Sequence, residues 1–228
     1  MAEENHKTHS DLAKECLPST CPFQLQHFTS SFLPEDLLTS CFNLIEQTSS
    51  AAYKASSKGW SPADKKAEMR DKDMQYLLLL REAQAEFRDC MHPVPPPPVH
   101  ELQGFLSYML TTDNGIPVIY VYEVHLQPTA QGQGLGKALM ACVDAIGRHE
   151  SMKKAMLTVF VSNVKAIKFY ECLGYTKWDE ESIPRTKKRL RSRVVEPERK
   201  PSYIIMAKDL GDDGWETDGS EASTQADE

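Results

Sequence analysis

Cysteines at metal-binding or redox spacing are missing from this chain. The six cysteines (16, 21, 41, 90, 142 and 172) contain no C-x-x-C pair, so neither a zinc-type site nor a dithiol motif is expected, and no metal is expected at all. Cys142 and Cys172 fall in amphipathic patterns, where a free cysteine ordinarily serves as a small core residue. Free thiols suit a reducing compartment, cytoplasm or nucleus. Long hydrophobic runs are also lacking. No stretch approaches the roughly 20 apolar residues of a membrane span, so no membrane-spanning helix is expected. Residues 1–5 have neither the basic start nor the apolar core of a secretory leader. Aromatics make up only 8% of the chain, and none interleaves its most basic segment, so sequence-specific nucleic-acid readout is not expected.

What is present is enough for one domain with tails. The chain has 228 residues, 40% of them hydrophobic, sufficient for a real core. The net charge of −7 is unevenly placed. From Leu210 to Glu228 there are seven acidic residues and no basic ones, a composition that cannot bury enough apolar surface to order itself. Arg185 to Lys200 carries eight Lys or Arg against two Glu. That segment reads as a solvated loop, a nuclear-import signal, or a patch contacting RNA, ribosome or chromatin. The expected organisation is an N-terminal arm over 1–21, a domain over 22–210 and an acidic tail over 211–228. The domain carries a proline-rich loop at 92–99 and the basic loop at 185–200.

Taken in order, Phe23 to Phe28 alternates as a first strand. Pro34, Glu35 and Asp36 suit a helix start, and Leu37, Leu38, Cys41, Phe42 and Ile45 give it an apolar face, with an end near Ala55. Gly59 to Pro62 reads as a loop with an N-cap and Ala63 to Asp73 as a charged helix. Tyr76 to Leu80 is a continuous apolar run consistent with a buried strand, and Glu82 to Arg88 has helical character. His92 to Pro98 must be extended, because proline lacks an N–H and disfavours helix in the preceding residue. A stiff surface loop is the reading preferred there over a site for an SH3-like partner. Gly104 to Thr112 and Val118 to Leu126 read as strands joined by the turn Asp113-Asn114-Gly115. Further strands are expected at 154–161, 175–179 and 203–208.

The chain is organised around Gln131-Gly132-Gln133-Gly134-Leu135-Gly136-Lys137. A strand precedes it, and a helical apolar repeat from Ala138 to Ile146 follows. Glycines leave backbone N–H groups unobstructed, and the helix N-terminus adds unpaired donors and partial positive charge. Such a turn can hold a pyrophosphate. A P-loop would need Ser or Thr after Lys137, where Ala138 stands. A dinucleotide fingerprint, G-x-G-x-x-G, is not given by glycines at 132, 134 and 136. The remaining pattern is Q/R-x-x-G-x-G/A, filled by Gln131, Gly134 and Gly136. Downstream, Asn163, Ala166, Tyr170, Gly174 and Tyr175 fill N-x-x-A-x-x-x-Y-x-x-x-G-[FY]. Ala166 and Tyr170 share one helix face, Gly174 suits a left-handed helix end, and Tyr175 starts the next strand.

These two motifs, in this order, resemble the two signatures of the GNAT family of N-acetyltransferases over roughly residues 22–210. The resemblance implies the GNAT fold, an α/β (α+β) architecture with a mixed, mostly antiparallel sheet of about seven strands flanked by helices. It also implies acetyl-CoA as cosubstrate, in the splay between central strands. On that reading Gly132, Gln133, Gly134, Leu135, Gly136 and Lys137 hold the pyrophosphate. Backbone groups of Val124, His125 and Leu126 contact the pantetheine arm, as does Asn163, and Tyr170 protonates the departing thiolate.

Tyr120-Val121-Tyr122-Glu123-Val124 and Lys153-Lys154-Ala155-Met156-Leu157-Thr158-Val159-Phe160, with Tyr53 and Ser202-Tyr203-Ile204, look like the NatD-type branch of N-terminal acetyltransferases. Lys58 stands where that branch has a second tryptophan, and the proline insert and basic loop are unlike it. The likeness implies acetyl transfer to the α-amine of histone tails beginning Ser-Gly-Arg-Gly, in cytoplasm and nucleus. An α-amine has a reference pKa near 7.7–8.0, so about a tenth to a sixth is neutral at pH 7 and a modest base suffices. Glu123 is expected to bind the ammonium and take its proton, directly or through water, ahead of His125. Tyr120 and Tyr122 would shape the peptide slot, and Tyr53, Thr158 and Tyr203 would position the first peptide units. Glu123 with Asp113 or Asp179 to Glu181 would supply an acidic groove for a basic tail. Strict alternation puts Tyr122 and Glu123 on opposite strand faces, so a local bulge is expected between them. Two other functions stay open: another GNAT activity on lysine side chains or small amines, and a non-catalytic acyl-CoA-binding scaffold.

Overall fold

The computed structural model describes residues 8–18, 21–57, 59–83, 99–178 and 202–211. Lys58, most of the proline-rich loop, the segment containing Asp179 to Glu181, the basic loop and the acidic tail from 212 lie outside these residues. Five α-helices and seven strands are described: α1 (His9–Glu15), β1 (Gln24–Thr29), α2 (Glu35–Ala55), α3 (Pro62–Met69), β2 (Gln75–Ala83), β3 (Val99–Asp113), β4 (Ile116–Leu126), α4 (Leu135–His149), β5 (Lys154–Phe160), α5 (Val164–Cys172), β6 (Thr176–Lys177) and β7 (Tyr203–Asp209). Several boundaries depart from expectation: α3 ends at Met69 rather than Asp73, β3 starts before Gly104, and β6 holds only Thr176 and Lys177. Glu82 and Ala83 continue β2 rather than opening a helix, and Val99, placed in the proline-rich loop, is the first residue of β3. The weakly patterned N-terminal segment also contributes α1, capped by a Thr8–Asp11 capping box.

The strands form one sheet in the order β1-β2-β3-β4-β5-β7-β6. Every pairing is antiparallel except β4 with β5. The apolar run in β2 is explained by cover on both faces. Leu77 and Leu79 pack with α4, while Leu78 and Leu80 pack with α2, and all four are buried. A strand covered on both faces has no polar side to alternate with, and each buried leucine contributes about 1.5–3 kcal/mol. The helices divide accordingly. Ala13 of α1, the face of α4 carrying Leu139, Val143 and Ile146, and the inner side of α5 cover one surface. On the other, α2 and α3 cover the sheet through Leu38, Cys41, Phe42, Ile45 and Met69. The β3–β4 turn is tight, with Asn114 at φ 49° and Gly115 at φ 84°, the paired positive angles of a type I′ hairpin.

Two irregularities shape the middle of the sheet. The β3–β4 register runs Ser107 to Glu123 and then Tyr108 to Val121, which leaves Tyr122 as the extra residue of a bulge. The ladder between β4 and β5 pairs only Val118–Val121 with Lys154–Leu157. Beyond that point the two strands part, and the rest of β4 runs on towards the glycine loop.

Candidate active site

The bulge decides which side chains meet. Ile119 and Val121 belong to the core on the α4 side, with Val124 and Leu126 packed against it. Tyr122 packs on the α2 side. Glu123 bonds to Tyr53 of α2 and Lys65 of α3, and His125 bonds to Thr48 of α2. One extra residue thus puts Tyr122 and Glu123 on the same face, where a regular strand would separate them.

The Glu123 carboxylate is 8% exposed and saturated with donors. Tyr53 donates its hydroxyl to Oε1 at 3.0 Å, Lys65 Nζ donates to Oε1 at 2.8 Å, and His125 Nε2 lies 2.6 Å from Oε2. Thr48 donates its hydroxyl to Leu44 O at 2.6 Å, so its oxygen accepts from His125 Nδ1 at 2.7 Å. The proton on the His125–Glu123 line is therefore carried between Nε2 and Oε2. Burial alone would raise the Glu123 pKa. The hydrogen bond and charge of His125, then Lys65, more than offset this and hold it at about 2. Burial likewise disfavours the Lys65 ammonium, but Glu123 and Tyr53 outweigh burial and push its pKa above the ordinary lysine range. Glu68 also pairs with Lys65.

Beside this cluster lies a cleft of about 580 Å³, with Lys65 and Glu68 in its lining. It gathers all five residues expected to hold substrate: Tyr53, Tyr120, Tyr122, Thr158 and Tyr203. Tyr120 and Thr158 hydroxyls are 2.5 Å apart, joining β4 to β5 at the fork. The Tyr120 and Tyr122 rings are 5.4 Å apart, and Phe160 meets Tyr53 edge-on at 5.0 Å. Ser57 and Ser202 hydroxyls, 3.1 Å apart, join the end of α2 to the start of β7. Asp113 raises the Tyr120 pKa, and Glu68 and Asp71 raise that of Tyr122, each after burial. Those carboxylates therefore stand within electrostatic reach of the cleft. A larger groove of about 720 Å³ between α1 and β1 contains none of these residues.

Sequence reasoning missed Lys65, Glu68 and Phe160. Residues 63–73 read as a solvated charged helix, yet Lys65 and Met69 are its buried residues. Their i, i+4 spacing was the available signal.

The loop residues stand at the other end of the β4 extension. Gly132 and Gly134 have φ of 75° and 78°, and a Cβ on either would meet nothing within 4 Å. Gly134 caps α4 with no side-chain hydrogen bond to the helix, so the first α4 amides remain available to an anion. Gln131 and Gln133 brace the loop by donating to Leu126 O at 3.2 Å and Thr129 O at 2.8 Å. Gly136 lets α4 approach α5, since a Cβ there would lie 3.3 Å from Phe169. Lys137 is exposed, whereas the Leu135 side chain is in the core. Asn163 caps α5, accepting from Ala166 N at 3.2 Å, and Gly174 follows that helix at φ 88°. The Tyr170 ring packs on Phe169 and Tyr175. Burial, and then the Glu123 charge, push its phenol above the ordinary range, so it keeps its proton at neutral pH. These features fit a phosphorylated, thiol-ended cosubstrate: an uncapped helix start, an open glycine loop, and a strand extension freed from its neighbour.

A family model for the acetyltransferase (GNAT) family matches residues 59–175. N-alpha-acetyltransferase 40 of Saccharomyces cerevisiae is 29% identical over 166 residues, covering 62% of this chain and 52% of that protein. A mycothiol acetyltransferase of Renibacterium salmoninarum is 39% identical over 64 residues, covering 28% of this chain and 19% of that protein. The chain thus spans about half or less of these relatives. In fold, it resembles a GNAT-family acetyltransferase of Staphylococcus aureus, with a TM-score of 0.52 at 9% identity over 82% of this chain and 99% of that one. Among the described residues, no helix is long and apolar enough to cross a membrane. The forked sheet and the loop at the end of its longer prong thus belong to a family whose cosubstrate is acetyl-CoA, and this chain is a member of the GNAT acetyltransferases.

Proposed function

We propose that this chain is a protein N-terminal α-amino acetyltransferase acting on histone-like tails that begin Ser-Gly-Arg-Gly, in cytoplasm and nucleus. The observation that carries the reading is the cleft at the fork. Tyrosines wall it, Lys65 and Glu68 stand in its lining, and Lys65 pairs with the buried Glu123 carboxylate. The Glu68 carboxylate stands in the lining beside the tyrosines, and aromatic faces attract a cation. A protein N-terminus enters such a site charged and reacts neutral. The similarity to a yeast N-alpha-acetyltransferase supports the same reading.

Acetyl-CoA, when bound, supplies an activated acetyl thioester. On this reading the amides of Gly132 to Lys137 hold its pyrophosphate, while Val124 to Leu126 and Asn163 hold its arm. Tyr53, Tyr120, Tyr122, Thr158 and Tyr203 bind and orient the first peptide units. The role of Glu123 differs from a free base. With its pKa held at about 2 and three donors on two oxygens, it is a weak proton acceptor for an ammonium near 8. Glu123 instead accepts from Tyr53 and Lys65 and orients both at the cleft. The amine proton leaves to water in the open cleft, and the attacking species is the fraction already neutral near pH 7. Tyr170 Oη holds the proton that the departing sulfur requires. Asp71 and Asp113 would receive the third-position arginine, and the basic loop 185–200 would meet ribosome or chromatin.

The test compares kcat/KM for peptides beginning Ser-Gly-Arg-Gly and Ser-Gly-Glu-Gly. A fall of at least about tenfold on the arginine-to-glutamate change is expected. Equal values would remove the basic-tail assignment.

A further inference from the structure

On the sheet face opposite the cleft, three histidines from distant parts of the chain converge. His9 opens α1, His27 lies on β1, and His149 ends α4, followed at once by Glu150. His9 Nε2 is 2.9 Å from Glu150 Oε1, and His149 Nδ1 is 3.0 Å from the same oxygen. The three potential ligand atoms of His9, His149 and Glu150 lie within 4.8 Å of one another. We propose that His9 Nε2, His149 Nδ1 and the Glu150 carboxylate form a binding site for a divalent transition cation of the zinc class, which clips α1 to the end of α4.

Hydrogen-bond accounting supports the site. Tyr108 donates its hydroxyl to Gln75 Oε1 at 3.1 Å, and that oxygen also faces His9 Nδ1 at 3.1 Å and His27 Nε2 at 2.9 Å. Tyr108 Oη also lies 3.0 Å from His9 Nδ1, so Gln75 and Tyr108 together anchor that side of the ring. Nε2 is thereby turned to the Glu150 carboxylate. The arrangement matches a metal-bound histidine, whose second nitrogen is fixed by an outer hydrogen bond. Two His and one carboxylate form a donor set that suits zinc, with a further position open to water. Ligands of one tetrahedral zinc sit roughly 3.3 Å apart, so a bound ion asks the present contacts to open only slightly. His149 and Glu150 are partly exposed, which gives an ion a way in.

A cation here would also meet a structural need. The helix α1 has seven residues, of which only Ala13 is buried. A helix so short is marginal without tertiary support. No sequence spacing reveals the site, because its ligands come from positions 9, 149 and 150.

The test titrates cobalt into chelator-stripped full-length protein and follows visible absorption. One cobalt per chain, with four-coordinate bands displaced by one equivalent of zinc, is the expected result. His149→Ala and Glu150→Gln, both at partly exposed positions, should each weaken binding at least about tenfold. Tyr108→Phe should weaken it without changing stoichiometry. Zinc should slow amide exchange in residues 9–15 of the wild type and not of His149→Ala. No saturable binding, unchanged affinity in His149→Ala, thiolate charge-transfer absorption, or exchange in α1 indifferent to zinc would each overturn the site.

Discussion

Glu123 and Lys65 are worth more together than either is alone. Removing one partner of a buried ion pair strands the other charge and costs about 3–5 kcal/mol. Lys65→Met should therefore lower stability by about that amount in urea unfolding, and adding Glu123→Gln should recover part of the loss. The pH dependence follows from the same contacts. The folded pKa of Glu123 is about 2, below its ordinary value of 4.5. Its contribution is thus complete above about pH 4.5 and drains as pH falls towards 2. Wild type should lose on the order of 3 kcal/mol more than Glu123→Gln across that window, as read from urea midpoints. Tyr170 gives a kinetic counterpart. Tyr170→Phe keeps the packing on Phe169 and Tyr175 but removes the proton source, so kcat should fall about 100-fold with peptide KM unchanged. An unchanged kcat would move the acid elsewhere.

Among the elements, the glycine loop was the most legible and helix α1 the least. Glycine spacing at 132, 134 and 136 is a backbone requirement written directly into sequence, and the angles at Gly132 and Gly134 meet it. Gly134→Ala meets no clash but must hold φ near 78°. That conformation costs an L-residue about 1–2 kcal/mol, so the variant should raise KM for acetyl-CoA in steady-state kinetics while peptide KM holds. The bulge at Tyr122 could be inferred only because strict alternation would have separated two residues expected to act together. The helix α1 was missed for a different reason: seven residues with one buried side chain carry almost no periodic signal. Lys65 was missed because a charged helix normally turns its charges to water, and only the buried Glu123 opposite reverses that choice.

At the scale of the molecule, two cores clamp a sheet that parts in the middle. Pairing stops at Val121 and Leu157, and everything assigned to chemistry lies along the opening. The cleft is at the fork, the freed stretch of β4 leads away from it, and the glycine loop closes its end. That geometry suits a cosubstrate lying between the strands and an amine entering from the α2–α3 side. The central claim is that this amine is a protein N-terminus. Its most direct test is acetyl transfer by the purified protein to two peptides of one sequence beginning Ser-Gly-Arg-Gly. One has a free α-amine, and the other has that amine blocked and its lysines free. The account predicts acetylation of the first alone, on the N-terminal nitrogen. Acetylation of lysines in the second would contradict it.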